Sequence, residues 1–434
     1  MAGSTRAQHG LRTLGLVAAL LLAVHGTAAA QKIRLQVGVY SSQDTYQELV
    51  DMFMARNPDV EVELVRFSNY DDFVEKMPVM IAGGVAPDVF SVHHLDVVEW
   101  AKAGRIMPLD EFVARDPAIR LEDYFPFAIN AFRWREGSYT VGEGSLYAMP
   151  TTFQSPGMPV YNRRLFDEAG VAYPDETWTW DSELEAMRKL TRITGQGTFT
   201  TVGTRVPNSR EGRFMPRLWQ AGGQMISEDY SRPMLASAES IAVLEWLAEL
   251  VHVHRVANNG AGTFVQGNVG IEYAGQWVMP VNRWHELIEF EWSVFPHPKH
   301  PETGSRMIGA RPDGMGILAT TREPEAAWRV LSFITGPEIQ ELRATREYQA
   351  SPHIPSAILL YQAGGQNGVP HNYELMAEAL MNVHPTYHLG MNAREIGNVV
   401  NTWLSRAVNA QVSPVEAASQ MNQEVNAILL RMRE

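Results

Sequence analysis

The sequence predicts an α/β protein with two lobes, between which the chain crosses more than once. Three observations support this prediction. The chain has 434 residues, more than a single hydrophobic core usually accommodates. Strand and helix patterns alternate along its first part, as in a parallel sheet covered by helices. No repeat, low-complexity segment or flexible linker divides the chain into halves, so the lobes must share several ordinary connections.

The first strands and helices follow from the spacing of apolar residues. Apolar side chains alternate from residue 33 to 39, repeat at helical spacing over 46–54, and alternate again over 60–64. A helix over 72–82 and a short buried strand over 88–91 follow. Right-handed crossovers would bring the carboxyl ends of these strands to one edge of the sheet, where α/β proteins bind ligands.

Further helix and strand patterns continue this alternation to the end of the chain. Helical spacing predicts helices over 179–190 and 237–251, and an apolar stretch over 269–273 predicts a strand. Residues 393–431 are predicted to be mostly helical, with an interruption at Ser413-Pro414, because proline begins a helix more readily than it continues one.

Composition and charge exclude several classes of function. Hydrophobic residues make up 45% and charged residues 20% of the chain, as expected for a folded globular protein. The net charge of −13 argues against nucleic-acid binding, because an acidic surface repels phosphates. The chain contains no cysteine, which excludes disulfides, thiolate metal sites and a lipidated N-terminal cysteine.

Residues 1–30 have the pattern of a secretory signal peptide. Arg6 and Arg12 precede a short apolar run over 14–24, and Ala28 and Ala30 supply the small residues of a cleavage site. The run is too short to span a bilayer comfortably. We therefore expect cleavage after Ala30 and an unlipidated mature protein outside the cytoplasm.

Four groups of sequence blocks, in this order, resemble the extracellular solute-binding proteins of ABC importers, the family of the maltose- and multiple-sugar-binding proteins. They are residues 83–90 with 103–110; 146–150 with 160–166, 169–170 and 179–180; Phe264, Gly267, Val269, Gly275 and Trp277; and 323–328 with 333–338. Each block alone is a weak signal. Together they cover nearly the whole mature chain.

The resemblance implies a two-lobed periplasmic binding protein fold (type II), with a ligand cleft between lobes joined by a hinge of several crossovers. By analogy, the N-lobe takes residues 31–152 and 310–355, and the C-lobe takes 153–309 and 356–434. The resemblance also implies a monomeric periplasmic protein without catalytic residues, cofactor or metal. Such a protein would capture a mono- or oligosaccharide and deliver it to the transmembrane subunits of an ABC permease, closing about the hinge when ligand fills the cleft.

Sugar binding requires flat aromatic faces for the C–H faces of the ring and planar polar groups for the hydroxyls, because a buried unpaired polar group costs about 1–3 kcal/mol. We predict ligand contacts at the strand ends and lobe crossovers. The candidates are Tyr40, Ser42, Gln43, His93, His94, Gln154, Arg213, Trp219, Tyr273, Trp277, Arg311 and Asp313. The resemblance favours Trp277, whose equivalent often lies against the ligand. At the position of His93, by contrast, the family often has aspartate.

Several candidates also have a purely structural interpretation. Trp277 could pack beneath the cleft, His93 and His94 could pack in a loop, Ser42 could cap a helix, and Gln154 could bond to hinge backbone. Arg213 and Arg311 suit the carboxylate or phosphate of an acidic ligand, but they suit internal salt bridges equally well.

Other functions remain as alternatives. The two arginines leave a polyol, a sugar acid or a glycerol phosphodiester open as the ligand. A secreted glycoside hydrolase or lyase is the alternative from another class, although no sequence motif singles out a catalytic pair. A surface adhesin or sensor domain would need an anchor. We expect no metal at His252 and His254, which point apart at a helix end.

Overall fold

The computed structural model describes residues 32–40, 43–155, 157–275, 284, 287–346, 349–362, 383–385 and 390–433. Within these segments the side chains of Gln43, Gln154, His384 and Pro385 lie outside the description. The predicted signal peptide, residues 1–30, also lies outside it.

The strands occur in the following order along the chain. They are β1 (Ile33–Val39), β2 (Val60–Arg66), β3 (Val89–His93), β4 (Arg133–Trp134), β5 (Ser145–Leu146), β6 (Met149–Gln154), β7 (Met158–Asn162), β8 (Arg192–Ile193), β9 (Phe199–Thr204), β10 (Val269–Ala274), β11 (Trp292–Val294), β12 (Ile308–Ile317) and β13 (Val383–Pro385).

The α-helices lie between and after these strands. They are α1 (Gln43–Arg56), α2 (Tyr70–Ala82), α3 (Val97–Lys102), α4 (Asp110–Arg115), α5 (Pro126–Asn130), α6 (Arg163–Ala169), α7 (Trp180–Leu190), α8 (Met215–Gln220), α9 (Ala238–His252), α10 (Pro324–Thr335), α11 (Pro337–Arg346), α12 (Ile354–Gln362), α13 (Ala393–Val408) and α14 (Pro414–Arg431). A 3₁₀ turn (Leu121–Asp123) and a π-helical turn (Arg210–Phe214) complete the helical elements described.

The strands form two separate larger sheets, each of which is the centre of one lobe. In the first sheet the order is β13-β12-β3-β1-β2, with β6 also paired to β12. In the second sheet the order is β11-β7-β10-β9-β8. We call the parts of the protein built on them the first lobe and the second lobe. Both sheets are covered by helices, so the predicted α/β class with two lobes is confirmed.

The first sheet is mixed rather than wholly parallel. β1 runs parallel to β2 and β3, as the alternating pattern predicted. β12 then runs antiparallel to both β3 and β6. A strand that returns from the second lobe can enter in either direction, and nothing in its own sequence records which direction it takes. This antiparallel strand places Asp313 directly opposite His93.

The apolar periodicity that predicted the elements also forms the cores. Val37 and Val39 of β1 are completely buried, together with Leu49 and Val50 of α1. In the second lobe, the apolar face of α13 packs with α9 and α14 in one cluster. The helix pair α13–α14 breaks at Ser413, whose hydroxyl caps α14 by accepting from the Glu416 amide, so the predicted interruption is confirmed.

Within the described residues, no helix combines the length and the apolar character needed to cross a membrane. The residue limits of the two lobes stay a prediction.

Candidate functional site

Three of the predicted residues meet at the carboxyl edge of the first sheet. Tyr40 follows β1, His93 ends β3, and Asp313 lies opposite His93 on β12. The Tyr40 hydroxyl donates to Asp313 Oδ1 at 3.3 Å, and His93 Nε2 lies 3.8 Å from the same oxygen. Two of these side chains therefore lie at the ends of parallel strands, where α/β proteins bind ligands, and the antiparallel pairing of β12 brings Asp313 to them.

Aromatic rings form a wall beside this polar group. The ring of Tyr70, the first residue of α2, lies 4.6 Å from the His93 ring and 5.3 Å from the Tyr40 ring, measured between centroids. The His93 and His94 rings are 4.3 Å apart. Asn69 begins α2 by accepting from the Asp72 amide, which fixes the position of Tyr70. The site thus combines flat faces with hydrogen-bonding groups.

His93 and His94 are held neutral. Burial lowers the pKa of His93 well below its ordinary value, and the nearby His94 and Arg311 lower it further. Burial likewise lowers the pKa of His94 to about 3. The Leu95 amide donates to His93 Nδ1 at 3.2 Å, so the proton of the neutral ring is on Nε2, which faces Asp313.

Asp313 is the acceptor at the centre of this group. Burial raises the pKa of its carboxyl group, whereas the charge of Arg311 and the hydrogen bond from Tyr40 oppose the rise. Its backbone carbonyl also accepts from the Thr151 hydroxyl at 3.0 Å, which ties β12 to β6. The position of the carboxylate is therefore set by strand pairing as well as by its neighbours.

Arg311 is paired with a carboxylate of the second lobe. Its Nη1 atom lies 3.5 Å from Glu211 Oε2, and Arg210 bonds the other oxygen of Glu211. Burial raises the pKa of Glu211, but the charges of Arg210 and Arg311 more than offset it and hold this pKa below its ordinary value. Glu211 is therefore ionised between two guanidinium groups, and Arg311 is already engaged in a salt bridge.

Among the described residues, His93, His94 and Asp313 form one group whose potential metal-ligand atoms lie within 4.8 Å of one another. The arrangement does not suit a metal. A histidine that binds metal through Nε2 normally donates from Nδ1, whereas His93 Nδ1 accepts from the Leu95 amide. The charges of Arg311 and Arg210, which act on both histidines, also oppose a cation.

Arg213 and Tyr273 lie together in the second lobe. The Arg213 guanidinium carbon is 3.6 Å from the centroid of the Tyr273 ring, and its Nη2 atom donates to the Thr204 hydroxyl. The Tyr273 hydroxyl donates to Glu183 Oε1 at 2.5 Å and accepts from Arg217 at 2.8 Å. These contacts place both predicted residues in a buried network at the end of β10.

The ligand contacts predicted for the remaining candidate residues stay predictions. Trp219 is 6% exposed and lies in the hydrophobic core around α8, α9 and α13. Ser42 and Trp277 lie outside the described residues. Gln43 begins α1, and Gln154 pairs with Arg311 at the end of β6, but their side chains are outside the description.

Several residues that contact the candidate site, or that bond to Tyr70 beside it, were not predicted from the sequence. They are Tyr70, Asp96, Arg210, Glu211 and Arg394. Two of them carried a usable signal, because Tyr70 follows β2 and Asp96 follows β3 closely, as Tyr40 follows β1. Arg210 and Glu211 lie in a π-helical turn, which has no simple sequence pattern. Arg394 bonds to Tyr70 and Asp96, which are distant from it in the sequence.

The sequence is similar to a known family and to characterised proteins. The sequence model described as "Bacterial extracellular solute-binding protein" matches residues 41–341. A maltotriose-binding protein of Pyrococcus abyssi is 24% identical over 303 residues, which span 68% of this chain and 60% of that relative. An arabinooligosaccharide-binding protein of Halalkalibacterium halodurans is 31% identical over 208 residues, 44% of each chain.

Solved structures share the fold over nearly the whole chain. An ABC substrate-binding protein of Listeria monocytogenes in complex with cycloalternan superimposes with a TM-score of 0.78 at 22% identity, covering 92% of this chain and 99% of that one. The maltose/maltodextrin-binding domain of Bdellovibrio bacteriovorus bound to maltotriose gives a TM-score of 0.73 at 16% identity, covering 93% and 100%. At these identities the likeness concerns the fold.

Proposed function

The chain belongs to the bacterial extracellular solute-binding protein family, and from that premise we propose that it is the substrate-binding protein of an ABC importer for a carbohydrate. The ligand would be a mono- or oligosaccharide bound between the two lobes. The observation that carries this proposal is the group formed by Tyr40, His93 and Asp313 at the carboxyl edge of the first sheet.

The chemistry of this group matches sugar hydroxyls. A hydroxyl is both a donor and an acceptor, so it needs partners of both kinds. Asp313 supplies acceptor oxygens, while Arg311 and the Nε2–H of His93 supply donors. Because these groups are buried or half-buried, a ligand that satisfies them gains more than it would in water. The family resemblance implies aspartate at the position of His93, whose neutral ring still offers a donor.

The aromatic wall suits the apolar faces of a sugar ring. Tyr40 and Tyr70 lie beside the polar group and are fixed by their own contacts. We propose Trp277, which follows β10 in the sequence, as the opposing face. Ligand would then touch groups of both lobes and bind the closed arrangement of the lobes more tightly than the open one. This difference in affinity would shift the population toward the closed arrangement.

We further propose that the protein is periplasmic, monomeric, unlipidated and released from its leader after Ala30. The extracellular character of the family supports the location. Its partners would be the transmembrane subunits of an ABC permease, which would recognise the closed form. We propose that it binds its ligand without chemical turnover and without a cofactor.

A thermal-shift screen tests the proposal. The protein made from residues 31–434 is mixed with mono- and oligosaccharides, polyols, sugar acids and glycerol phosphates after unfolding and refolding to remove co-purified ligand. A ligand at 100 times its dissociation constant should add about 2.7 kcal/mol of stability. A shift with neutral saccharides supports the proposal, and reducing-end assays of the same mixtures should show no release over time.

Other outcomes would replace the proposal with a named alternative. A shift confined to acidic compounds would favour a sugar acid or a phosphodiester as ligand. Steady production of reducing ends would indicate a glycoside hydrolase, and unsaturated products would indicate a lyase.

A further inference from the structure

Arg394 connects the two lobes directly. It is the second residue of α13, and its Nη2 atom donates to the Tyr70 hydroxyl at 2.7 Å and to Asp96 Oδ1 at 2.8 Å. The Tyr70 hydroxyl in turn donates to Asp96 Oδ2 at 2.9 Å. The three side chains therefore form a closed triangle of hydrogen bonds, in which the Asp96 carboxylate is shared by two donors.

The partners belong to different lobes. The buried face of α13, which includes Ile396, Val400 and Leu404, packs against α9 and α14 in the second lobe. Tyr70 begins α2 and Asp96 precedes α3, and both helices pack in the core of the first lobe. The triangle therefore spans the junction between the lobes.

The residues before Arg394 also touch the first lobe, through backbone atoms and through the side chain of Met391, which packs in the first-lobe core. The Met391 amide donates to the Tyr139 carbonyl at 2.8 Å, and the Asn392 amide donates to Glu99 at 3.3 Å. Arg394 adds a charged side chain to these contacts between the lobes. Its partner Asp96 is nearly inaccessible, with 7% of its side chain exposed, whereas Arg394 has 39% exposed. Asp96 thus depends on Arg394 for its countercharge.

The triangle is also connected to the candidate site. The ring of Tyr70, held by Asp96 and Arg394, packs at a tilt against the rings of His93 and Tyr40. A movement that withdraws Arg394 would free the Tyr70 ring on one side. The Arg394 side chain thereby couples the position of the aromatic wall to the distance between the lobes.

We propose that Arg394, Asp96 and Tyr70 form an interlobe clasp that is made when the lobes close and broken when they open. The clasp would stabilise the closed state without touching ligand. It would therefore raise the closed fraction of ligand-free molecules, and it would slow ligand release more than it affects ligand capture. It rests on the two-lobed fold and does not depend on which ligand the cleft accepts.

The chain has no cysteine, so the interlobe distance can be measured directly. Val79, 72% exposed on the first lobe, and Val253, 65% exposed on the second, are changed to cysteine and labelled with a donor and an acceptor dye. In this background Arg394→Ala is compared with Arg431→Ala. Arg431 pairs with Glu395 at 2.5 Å between α14 and α13, inside the second lobe, and is therefore a matched control.

We expect Arg394→Ala to lower energy transfer in the ligand-free protein and to raise the dissociation rate of bound ligand by about tenfold, the equivalent of one lost charged hydrogen bond. Arg431→Ala should leave both values unchanged. Equal energy transfer in the two variants would overturn the clasp, even if Arg394→Ala lowers the melting temperature, because the contact would then be a fixed anchor. The transfer measurement needs no ligand, so failure of the carbohydrate proposal would not affect it.

Discussion

The guanidinium group of Arg311 lies 3.5 Å from the carboxylate of Glu211. This contact bears on ligand class, because Arg311 was one of two arginines that could have received an acidic ligand. The other, Arg213, lies over Tyr273 with one nitrogen 4.0 Å from Glu183. Both arginines therefore have carboxylates beside them, which favours a ligand without charge.

Glu211→Gln should change the ligand preference of the cleft. Removing this carboxylate takes away one negative charge beside Arg210 and Arg311, so affinity for a uronic acid should rise relative to the neutral sugar by about tenfold or more. Titration calorimetry with the matched pair of ligands measures this ratio. Glu291→Gln, which alters the exposed pair with Arg163, is the control. An unchanged ratio would show that Glu211 does not set the charge of the cleft.

Arg217→Ala should destabilise the second lobe. Arg217 is 1% exposed, bonds the buried Glu183 and lies 4.7 Å from the Trp180 ring centroid. Its removal breaks the close buried pair with Glu183 and leaves only the more distant Arg213 as a countercharge; breaking a buried pair costs about 3–5 kcal/mol. Denaturant unfolding measures the loss. Arg34→Ala removes an exposed pair with Glu61 and should cost less than about 1 kcal/mol; equal losses would contradict the expectation.

Gly157→Ala tests a close approach between backbones where the chain passes from β6 to β7. A Cβ atom at Gly157 would lie 2.3 Å from the carbonyl oxygen of Gly212. The substitution must separate these segments, and we expect a loss of about 1–3 kcal/mol in unfolding free energy. Gly195 has open space around its Cβ position, so Gly195→Ala should be neutral. Similar melting temperatures for both variants would show that the crossover tolerates a side chain.

The effect of Arg394→Ala should depend on pH through Asp96. Burial raises the pKa of Asp96 to about 6, the charge of Arg394 opposes the rise, and Tyr70 and Glu99 are the other ionisable groups that act on it. Because this pKa is raised on folding, the contribution of Asp96 to stability is present at low pH and is lost as pH rises through 6. In the Arg394→Ala variant the ionised form of Asp96 is even less favourable than in the wild type, because the countercharge is absent.

The destabilisation by Arg394→Ala should therefore be small near pH 5, where Asp96 is mostly protonated, and reach about 1–3 kcal/mol above pH 7. Thermal melts of wild type and variant across this range measure it. In the Asp96→Asn background the pH dependence should disappear. A defect that is the same at pH 5 and pH 8 would remove Asp96 from the explanation.

Trp277→Ala should lower ligand affinity by about 1–3 kcal/mol, because a stacking face is lost, and should leave the melting temperature of the free protein nearly unchanged. Trp403→Ala, at a half-buried position on α13 whose indole bonds Glu424, is the control. Unchanged affinity in a folded Trp277 variant would exclude this residue from the site.

Local patterns explain which parts of the fold could be predicted. The strands and helices follow from apolar periodicity, and the strand-end rule brought Tyr40 and His93 to one edge. The direction of β12, and hence the opposition of Asp313 to His93, depends on a connection from the other lobe. Asp96 and Arg394 are 298 residues apart, and no periodicity links residues at such a distance. The sequence also did not reveal whether Arg311 is free to bind an anionic ligand, because that depends on its contact with Glu211.

Titration calorimetry of the protein with neutral oligosaccharides tests whether it binds a carbohydrate. We expect saturable heat with one ligand bound per chain for at least one saccharide, and recovery of that saccharide chemically intact. Absence of saturable heat with every saccharide at millimolar concentration, in a protein that still shows a cooperative melting transition, would contradict it.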